Sequence, residues 1–516
     1  MTATPATNKW LLTLTVMLGT MMNAIDSSIV NVAVPYMRGS LGASVEEISW
    51  VTTGYILSNV IVTPLIALVS SRVGRKRFYF YSIVIFTVSS ILCGLATTLP
   101  LLVLARVIQG IGGGALGPLS QSIMRERFAP HEQGTAMGIF GLGVVVGPAL
   151  GPTLGGWLVD HFSWPWIFYI NVPFGVLNCL MVLRYLDDPP YLVRERGRID
   201  FAGVALLVLS LCSLQLFLEE GRRYDWFDSG FIVMLAFLAV GGLILFVWRE
   251  MTVDLPAVDL SLLGNANFAS GIFISGILGM GLFASMFLLP LFLQQLLGYS
   301  AIDSGLTLMP RSIATGLTLP VAGRLYNRVG PRYLVATGLV CSATSFFLMS
   351  RLSLDVGYRE LFAVQTLQGM GFGMTFVSVS TAALSSVDRT RIMSASGLYN
   401  VFRQVFGSVG IALAATQFTG GQSIFRSYLA ERTSVYNPVA QQWLAKVSAG
   451  MTAKGADHVT ASARALRFLE GMVMRQAAMM SYSRIYSVLA VMFLCLLPLT
   501  LFLKGRVRVD DVVPET

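Results

Sequence analysis

Charged residues are scarce in this sequence, which restricts the kind of protein it can form. Only 12% of its 516 residues are Asp, Glu, Lys or Arg, whereas 54% are hydrophobic. A typical soluble domain has about 25% charged residues, and a soluble fold of this length would need more polar surface than this chain supplies. A bilayer removes that need, because lipid favours apolar side chains. The composition therefore predicts an all-α membrane protein.

Cysteine and histidine are also rare, and their positions argue against several chemistries. The five cysteines lie inside apolar runs and none share a metal-type spacing, so we expect no metal site. His131, His161 and His458 fall in loops far apart in sequence, and no nucleophile–base pair occurs in the apolar runs, so we expect no enzyme and no catalytic residue. The net charge of +9 comes mostly from short loops rather than from a basic stripe, which argues against nucleic acid as a partner.

Long apolar runs recur along the whole chain, and about 20 such residues make one membrane-spanning helix. We predict fourteen spans, at residues 11–34, 49–69, 78–97, 101–121, 135–157, 165–186, 201–219, 230–248, 268–291, 304–323, 334–352, 359–383, 395–417 and 484–503. Cytoplasmic loops are rich in Lys and Arg. The even-numbered junctions and the termini hold 20 such residues, against five in the opposite short loops. Both termini are therefore predicted to be cytoplasmic.

Short segments recur at an offset of about half the chain. Ser71–Gly74 matches Asn327–Gly330 after 256 residues, and Gln109–Gly112 matches Gln368–Gly371 after 259 residues. A parallel repeat predicts two six-helix bundles facing each other around a cavity near the bilayer midplane, with access alternating as one bundle rocks against the other.

The repeat divides the chain into three predicted parts. They are an N-terminal six-span bundle at 1–200, two inserted spans at 201–250 and a C-terminal six-span bundle at 251–516. A long periplasmic loop is predicted at about 418–483, with stretches of helical periodicity. It is either a solvated cap or a docking surface for a periplasmic partner.

Asp26 is the one carboxylate well inside an apolar run, and Arg106 is one of three arginines in such runs. At about 1.5 Å per residue, Asp26 lies roughly 13 Å from Pro35 and Arg106 roughly 9 Å from Pro100, so both sit at a similar depth. We expect them to pair, directly or through water. Because desolvation and a nearby guanidinium shift an Asp pKa in opposite directions, a movement that alters either changes proton occupancy. The alternative is a fixed buried ion pair between two spans.

Other polar and glycine residues inside the runs are candidates for motion or for cargo binding. Glycine faces let helices approach closely, and two prolines in span five favour a bend, although helix packing alone would also explain the glycines. The conformational candidates are Arg72, Gly74, Arg75, Lys76, Gln109, Gly110, Gly147, Pro148, Gly151 and Pro152. The candidates for the cavity or substrate are Asn31, Arg311, Gln368, Asn400 and Arg403. The arginines among them line the cavity or satisfy carbonyls at a broken helix.

Several motifs resemble those of the major facilitator superfamily, and in particular its fourteen-span drug:proton antiporters of the EmrB/QacA kind. Residues 72–76 resemble the loop motif between spans two and three, and residues 104–110 resemble the span-four motif with the proton-linked arginine. Residues 143–156 resemble the span-five motif of exporters. Residues 25–35 and 166–175 are similar to stretches of the fourteen-span group, so the resemblance covers essentially the whole chain.

The resemblance implies a proton-coupled multidrug or toxic-compound efflux transporter of the bacterial inner membrane, with no cofactor beyond the proton gradient. Asp26 and Arg106 would carry the proton coupling. The loop at 418–483 resembles EmrB proteins of Gram-negative bacteria, which implies a periplasmic membrane-fusion adaptor and an outer-membrane channel. The loop motif departs from the family in having Ala67 and Ser71 where Gly and Asp are usual, which shifts the expected cytoplasmic latch to Arg72 and Arg75.

The expected cargo is small, apolar or amphipathic, and two other kinds of transport remain open. A dedicated exporter of one metabolite, such as a fatty acid, siderophore or aromatic acid, would fit a cavity in which Arg311 and Arg403 select anions. An importer is the other alternative, and only the resemblance of the span-five motif argues against it.

Overall fold

The computed structural model describes residues 9–129, 131–188, 200–253, 256–433 and 436–503, and these residues form helices and no β-strand. The long helices are α1 (Lys9–Leu41), α2 (Val45–Val62, continued by Ile66–Val73), α3 (Arg75–Gly94), α4 (Leu99–Arg127), α5 (Gln133–His161), α6 (Asn171–Tyr185), α7 (Phe201–Glu220), α8 (Gly230–Glu250), α9 (Ala266–Leu291), α10 (Ala301–Val329), α11 (Pro331–Ser350), α12 (Tyr358–Ser385), α13 (Ile392–Arg432), α14 (Pro438–Ala453) and α15 (His458–Cys495).

Many of these helices can cross a bilayer by length and composition. Within the described ranges, nine are long and apolar enough, or up to ten if the bent pair Tyr358–Ser385 and Arg389–Arg432 counts as one span. The all-α membrane fold is thus confirmed, whereas the number of fourteen spans stays a prediction. α10 falls outside the set; Arg311 and two internal prolines lower its mean hydropathy. Such residues are tolerated where neighbouring helices cover them.

The packing repeats between the two halves of the chain. α1 packs against α5 and α2 against α4, just as α9 packs against α13 and α10 against α12. Gly74 after α2 and Gly330 after α10 have φ of 91° and 90°, a backbone conformation that favours glycine. The repeat seen in the sequence is therefore present in the backbone, while the domain boundaries at 200 and 250 stay predictions.

The two halves meet through glycines of α5 and α10. A Cβ added to Gly134 would run into the carbonyl oxygen of Gly323, and one added to Gly323 would run into the carbonyl of Gly134. Further along α5, a Cβ on Gly138 would lie 2.5 Å from the Leu319 carbonyl oxygen. Backbone-to-backbone contact of this kind needs glycine on both helices. It lies at the end of the bundle that holds the predicted cytoplasmic loops, here called the inner end.

The helices predicted as an insertion, α7 and α8, pack against each other, and α7 also packs on α2 and α13. Leu207, Leu211 and Phe246 belong to the same buried cluster as the apolar residues of the second half. Arg249, near the end of α8, donates hydrogen bonds of 2.8–3.0 Å to the carboxylate of Asp200, which directly precedes α7. These two helices are thus part of the packed core, while their status as an insertion stays a prediction.

The predicted loop at 418–483 is largely helical. α13 continues to Arg432, α14 follows, and α15 begins at His458, far ahead of the apolar stretch predicted as span fourteen. The Trp443 and Phe468 rings stack 5.9 Å apart, and Arg426 pairs with Glu470 at 2.5 Å. Hydropathy marks where the bilayer ends, but a helix continues into water as long as its residues favour it. Residues 418–483, here called the helical extension, are therefore a largely helical structure rather than a loop.

Candidate functional site

Asp26 and Arg106 form a direct ion pair in the interior of the first half. Asp26 on α1 is 0% exposed and Arg106 on α4 is 1% exposed. Arg106 Nη1 lies 2.6 Å from Asp26 Oδ2. The side chains predicted to lie at one depth are thus in contact.

Two amides complete the hydrogen bonding of this carboxylate. Gln109 Nε2 and Asn171 Nδ2 each donate to Asp26 Oδ1 at 2.9 Å, and both also reach the hydroxyl of Ser90. A carboxylate in a dry site needs such donors, since burying a charge without them is costly. We call these five residues, Asp26, Ser90, Arg106, Gln109 and Asn171, the acid–base cluster.

The guanidinium of Arg106 has further partners besides Asp26. It donates to the Val51 carbonyl oxygen at 3.1 Å and to Gln109 Oε1 at 2.6 Å. The Tyr55 ring lies 4.1 Å from its central carbon, a distance at which a cation is attracted to the ring face. Apart from the carboxylate of Asp26, Arg106 therefore has two hydrogen-bond acceptors and one aromatic ring as partners.

Glycines of α4 make this dense arrangement sterically feasible. A Cβ on Gly110 would lie 2.5 Å from the Tyr55 carbonyl oxygen, and one on Gly113 would lie 2.7 Å from the Tyr55 hydroxyl. Gln109 and Gly110, predicted as conformational residues, thus serve the site directly: the first binds the carboxylate, and the second lets α2 approach. The cluster is closed to solvent in this conformation.

The loop motif at the end of α2 forms a set of inner-end contacts. Arg75, 5% exposed, is paired with Glu126 at the end of α4, with one hydrogen bond of 2.8 Å and a second, shorter one. The Lys76 backbone N–H donates to Asp188 at 2.7 Å. Arg72 keeps a buried Nε without a hydrogen-bond partner. Of the two predicted latch arginines, Arg75 is thus the one paired with an acid at a helix end, and Gly74 supplies the turn.

The second copy of the motif joins the halves. Asn327 on α10 donates its side-chain amide to the His131 carbonyl oxygen in the loop before α5. Beside it, Lys9 pairs with Glu132 at 2.5 Å, and this hydrogen bond lowers the pKa of Glu132. The inner end is thus held by polar contacts as well as by the glycines of α5 and α10.

The span-five motif packs against the helix that carries Asp26. The Ser28 hydroxyl donates to the Gly147 carbonyl oxygen at 2.8 Å, and a Cβ on Gly147 or Gly151 would run into Ala24 or Ser28 of α1. The helix is continuous through this stretch. The side chains of Pro148 and Pro152, predicted as conformational residues, lie outside the described residues.

A polar layer joins the halves in the middle of the bundle. Asn400 Nδ2 on α13 donates to Gln121 Oε1 on α4 at 2.8 Å, and Gln404 Nε2 donates to Asn59 Oδ1 on α2 at 3.1 Å. Arg403, half-buried, donates to Asn400 Oδ1 at 3.0 Å and lies 5.5 Å from the Phe376 ring. Asn400 and Arg403 are thus brought together where the two halves meet.

Arg311 and Gln368 meet inside the second half. Both are buried, and both bind the hydroxyl of Ser285 on α9. Asn31, by contrast, is exposed on α1 and donates only weakly to the Ser27 carbonyl oxygen at 3.4 Å. The five predicted cavity residues therefore fall into three separate places and not into one site.

The helix pair of α7 and α8 contributes a half-buried acid that hydropathy places at the end of a span. Glu219 on α7 accepts from Gln215 at 3.0 Å, and its second oxygen is buried without a hydrogen-bond partner. It lies beside Thr53 of α2. Asp26 is therefore not alone as a carboxylate shielded by the bundle, but it is paired with an arginine, whereas no ion pair of Glu219 is present among the described residues.

Sequence reasoning missed several residues of these sites. Asn171 and Ser90 sit at the acid–base cluster, Glu126 pairs with the loop motif, and Gln121 and Asn59 join the halves. Each is a polar residue in or beside an apolar helix, which is the signal that could have drawn attention to it. Which of them meet depends on helix rotation, which the sequence does not state.

The chain is similar to known transporters over nearly its whole length. The family model of the Major Facilitator Superfamily matches residues 16–411. Multidrug export protein EmrB of Escherichia coli is 34% identical over 498 residues, 96% of this chain and 95% of that protein. Fatty acid resistance protein FarB of Neisseria gonorrhoeae is 30% identical over 496 residues, 95% of each chain.

Solved structures share the fold. The proton:xylose symporter XylE bound to 6-bromo-6-deoxy-D-glucose matches with a TM-score of 0.59 and covers 96% of this chain and 99% of its own. Its sequence is only 13% identical. This likeness therefore concerns the architecture alone.

Proposed function

Since the chain belongs to the major facilitator superfamily and is a multidrug efflux transporter, we propose that a proton exchanged at Asp26 drives the export. The observation that carries this proposal is the buried pair of Asp26 and Arg106, 2.6 Å apart and closed to solvent. The similarity to multidrug export protein EmrB over 96% of the chain supports the direction of transport.

The hydrogen bonds of the acid–base cluster suit two protonation states. In the present state the carboxylate accepts from Arg106, Gln109 and Asn171. A proton on Asp26 would cancel the charge that Arg106 faces, and the guanidinium would keep the Val51 carbonyl and the Gln109 amide oxygen as acceptors. Losing one partner of a fixed buried pair costs about 3–5 kcal/mol. The remaining acceptors reduce that cost, which favours a switch over a fixed pair.

Alternating access would connect this switch to the cargo. The hydrogen bonds between the halves, among the described residues, lie at the inner end and in the middle of the bundle, at His131, Pro118, Gln121 and Asn59. With both termini in the cytoplasm, the contacts of α5 with α10 would close the cytoplasmic side. A proton entering from outside would then be worth about 2.3 kcal/mol per 100 mV when the halves rock and release it inside.

The helical extension beyond α13 supports a partner outside the inner membrane. Tyr436, Val439, Val459 and Leu466 are exposed there, at 60–95% of their surface. Apolar side chains in such number on a water-facing structure favour contact with another protein. We therefore propose that this extension binds a periplasmic membrane-fusion adaptor, which would connect the transporter to an outer-membrane channel.

The test compares the native protein with Asp26→Asn in everted membrane vesicles with an acidic interior. Uptake of the apolar dye 1-N-phenylnaphthylamine is followed by fluorescence. We expect the variant to bind the dye in the purified state but not to concentrate it in vesicles. Asp160→Asn is the matched control, since Asp160 is an exposed carboxylate on α5 bound to Tyr36. Uptake by Asp26→Asn equal to that of the control would remove Asp26 from the coupling.

A further inference from the structure

Arg311 is a buried cation without an acid to balance it. It lies on α10, is 6% exposed, and its hydrogen bond to the Ser285 hydroxyl is long, at 3.4 Å. Within the described part of the chain, no carboxylate is paired with Arg311. The titratable side chain beside it is that of Tyr486, which also contacts Ser285. A guanidinium held away from water needs a counter-charge or a full set of acceptors. Among the described residues, the Ser285 hydroxyl is the one acceptor that hydrogen-bonds this guanidinium, and no acid balances its charge.

Three polar side chains meet at the hydroxyl of Ser285. Gln368 Nε2 lies 3.1 Å from Ser285 Oγ, and the Tyr486 hydroxyl lies 3.4 Å from it. A serine oxygen has two lone pairs, which one N–H of Arg311 and one of Gln368 fill, and its own O–H can donate to Tyr486. The other N–H groups of Arg311 and Gln368 have no hydrogen-bond partner among the described residues. The distances of 3.4 Å are also at the long end for a hydrogen bond. The group that would satisfy these donors is an acceptor with several lone pairs.

The repeat identifies what is missing. At the offset of 259 residues, Ser285 corresponds to Asp26 and Gln368 corresponds to Gln109. Gln109 donates to the carboxylate of Asp26 at 2.9 Å, as Gln368 donates to the hydroxyl of Ser285. The second half thus repeats the glutamine donor of the acid–base cluster but has a neutral hydroxyl in place of the acid. Its arginine comes from α10, the counterpart of α2, rather than from α12.

We propose that a small anionic group binds at Ser285, held by Arg311, Gln368 and Tyr486. Its chemistry is that of a monovalent anion, either a carboxylate on an amphipathic molecule or a chloride ion. Aromatic rings pack on the side of Tyr486: Phe292 stacks on Tyr482 at 4.4 Å and Tyr482 lies 4.5 Å from Tyr486. Aromatic side chains keep water away from that side and so strengthen the attraction between the guanidinium and an anion.

The two sources of the anion have different consequences. If the anion is the head group of cargo, the site gives this exporter a preference for acidic amphipaths, and that part rests on the proposed function. The similarity to fatty acid resistance protein FarB agrees with it. If the anion is chloride, the site is structural and independent of cargo. In both cases Arg311 is the residue that holds the charge.

The test measures thermal unfolding of the purified full chain in sodium octanoate, sodium chloride or sodium gluconate at equal ionic strength. A ligand that binds the folded state raises the unfolding temperature in a saturable way. We expect such a rise with octanoate or with chloride relative to gluconate, and its loss in Arg311→Gln. Arg351→Gln is the matched control, because that arginine is exposed at the end of α11. A rise with octanoate alone assigns a carboxylate head group, and an equal rise with chloride assigns the inorganic ion.

A second variant supplies the anion from within. Ser285→Asp places a carboxylate where the repeat has Asp26, so it should unfold at a higher temperature than the native protein in gluconate and should no longer respond to octanoate or chloride. A native protein that responds to neither anion, or a Ser285→Asp variant that responds as the native protein does, would overturn the proposal. These measurements use no proton gradient, so their failure leaves the test of Asp26 untouched.

Discussion

Replacing Gly323 by alanine should separate the inner ends of the two halves. The added Cβ would run into the Gly134 carbonyl oxygen, and the Thr135 Cα would lie 3.1 Å away. Both obstacles are backbone atoms of α5, so a change of rotamer cannot relieve the contact. α5 must move away from α10, and the conformation in which these helices part becomes the less strained one.

The size of the shift between closed and open inner ends follows from two free-energy terms, the helix preference of alanine and the cost of overpacking. An alanine in a helix interior is normally favoured over glycine by about 0.5–1 kcal/mol. Overpacking a close contact typically costs about 1–3 kcal/mol, and this cost arises only where the halves touch. If opening relieves all of it, the equilibrium between closed and open inner ends shifts by about 5–150-fold.

The measurement is a distance distribution between spin labels at the inner end. Labels on cysteines introduced at Arg127 and Arg328, both exposed, report the separation of the halves by double electron–electron resonance. The five native cysteines are replaced first. Gly323→Ala should increase the population at long distance relative to the parent protein.

The chain offers a matched control on the same helix. A Cβ on Gly316 would lie 3.6 Å from the nearest atom of Leu142, an ordinary contact. Gly316→Ala makes the same chemical change with room for it, so its distance distribution should match the parent. Identical distributions for the two alanine variants would refute the idea that the glycine contact closes the inner end.

Two further predictions concern ion pairs at the ends of helices. Glu126→Gln should destabilise the protein by about 3–5 kcal/mol, because it leaves the buried guanidinium of Arg75 without its acid. Glu132→Gln, which removes a half-exposed pair, should cost about 0.2–1 kcal/mol in the same thermal unfolding assay. Equal losses would contradict the argument. Arg249 holds the pKa of Asp200 below its usual value, so the pair adds stability above the usual Asp pKa and loses it as the pH falls through the lowered one. The unfolding temperature of Asp200→Asn should therefore lie below that of the native protein at neutral pH and converge with it in acid, and a constant difference would argue against this linkage.

The pairing of Asp26 with Arg106 could be predicted because helix rise is nearly constant. Counting residues from the ends of two spans gives the depth of each side chain without any knowledge of how the helices pack. Similar depth and opposite charge then make a buried pair the favoured outcome, since each charge alone is costly in a bilayer. The repeat was readable for a similar reason, because Gly74 and Gly330 occupy turns that few other residues tolerate.

What the sequence could not provide is the rotation of each helix about its axis. Asn171 and Ser90 reach the carboxylate of Asp26 only because α3 and the start of α6 turn these side chains inward. The same uncertainty hid the separation of Arg311 from Arg403, which share a membrane environment but lie in different sites. Depth is a one-dimensional quantity that hydropathy measures well, whereas rotation depends on which side chains fit together.

The duplicated backbone turns one side-chain difference into a difference of chemistry between the halves. Both copies have the same helix packing and the same glycine turn, so side chains at corresponding positions meet the same kind of frame. Each half has a glutamine donor at the corresponding position, Gln109 or Gln368. Whether the buried arginine also has a counter-charge depends on the one side chain that faces this glutamine. With an acid at position 26, the first half balances its buried arginine from within the chain. With serine at position 285, the second half leaves its buried arginine to be balanced by something the chain does not contain.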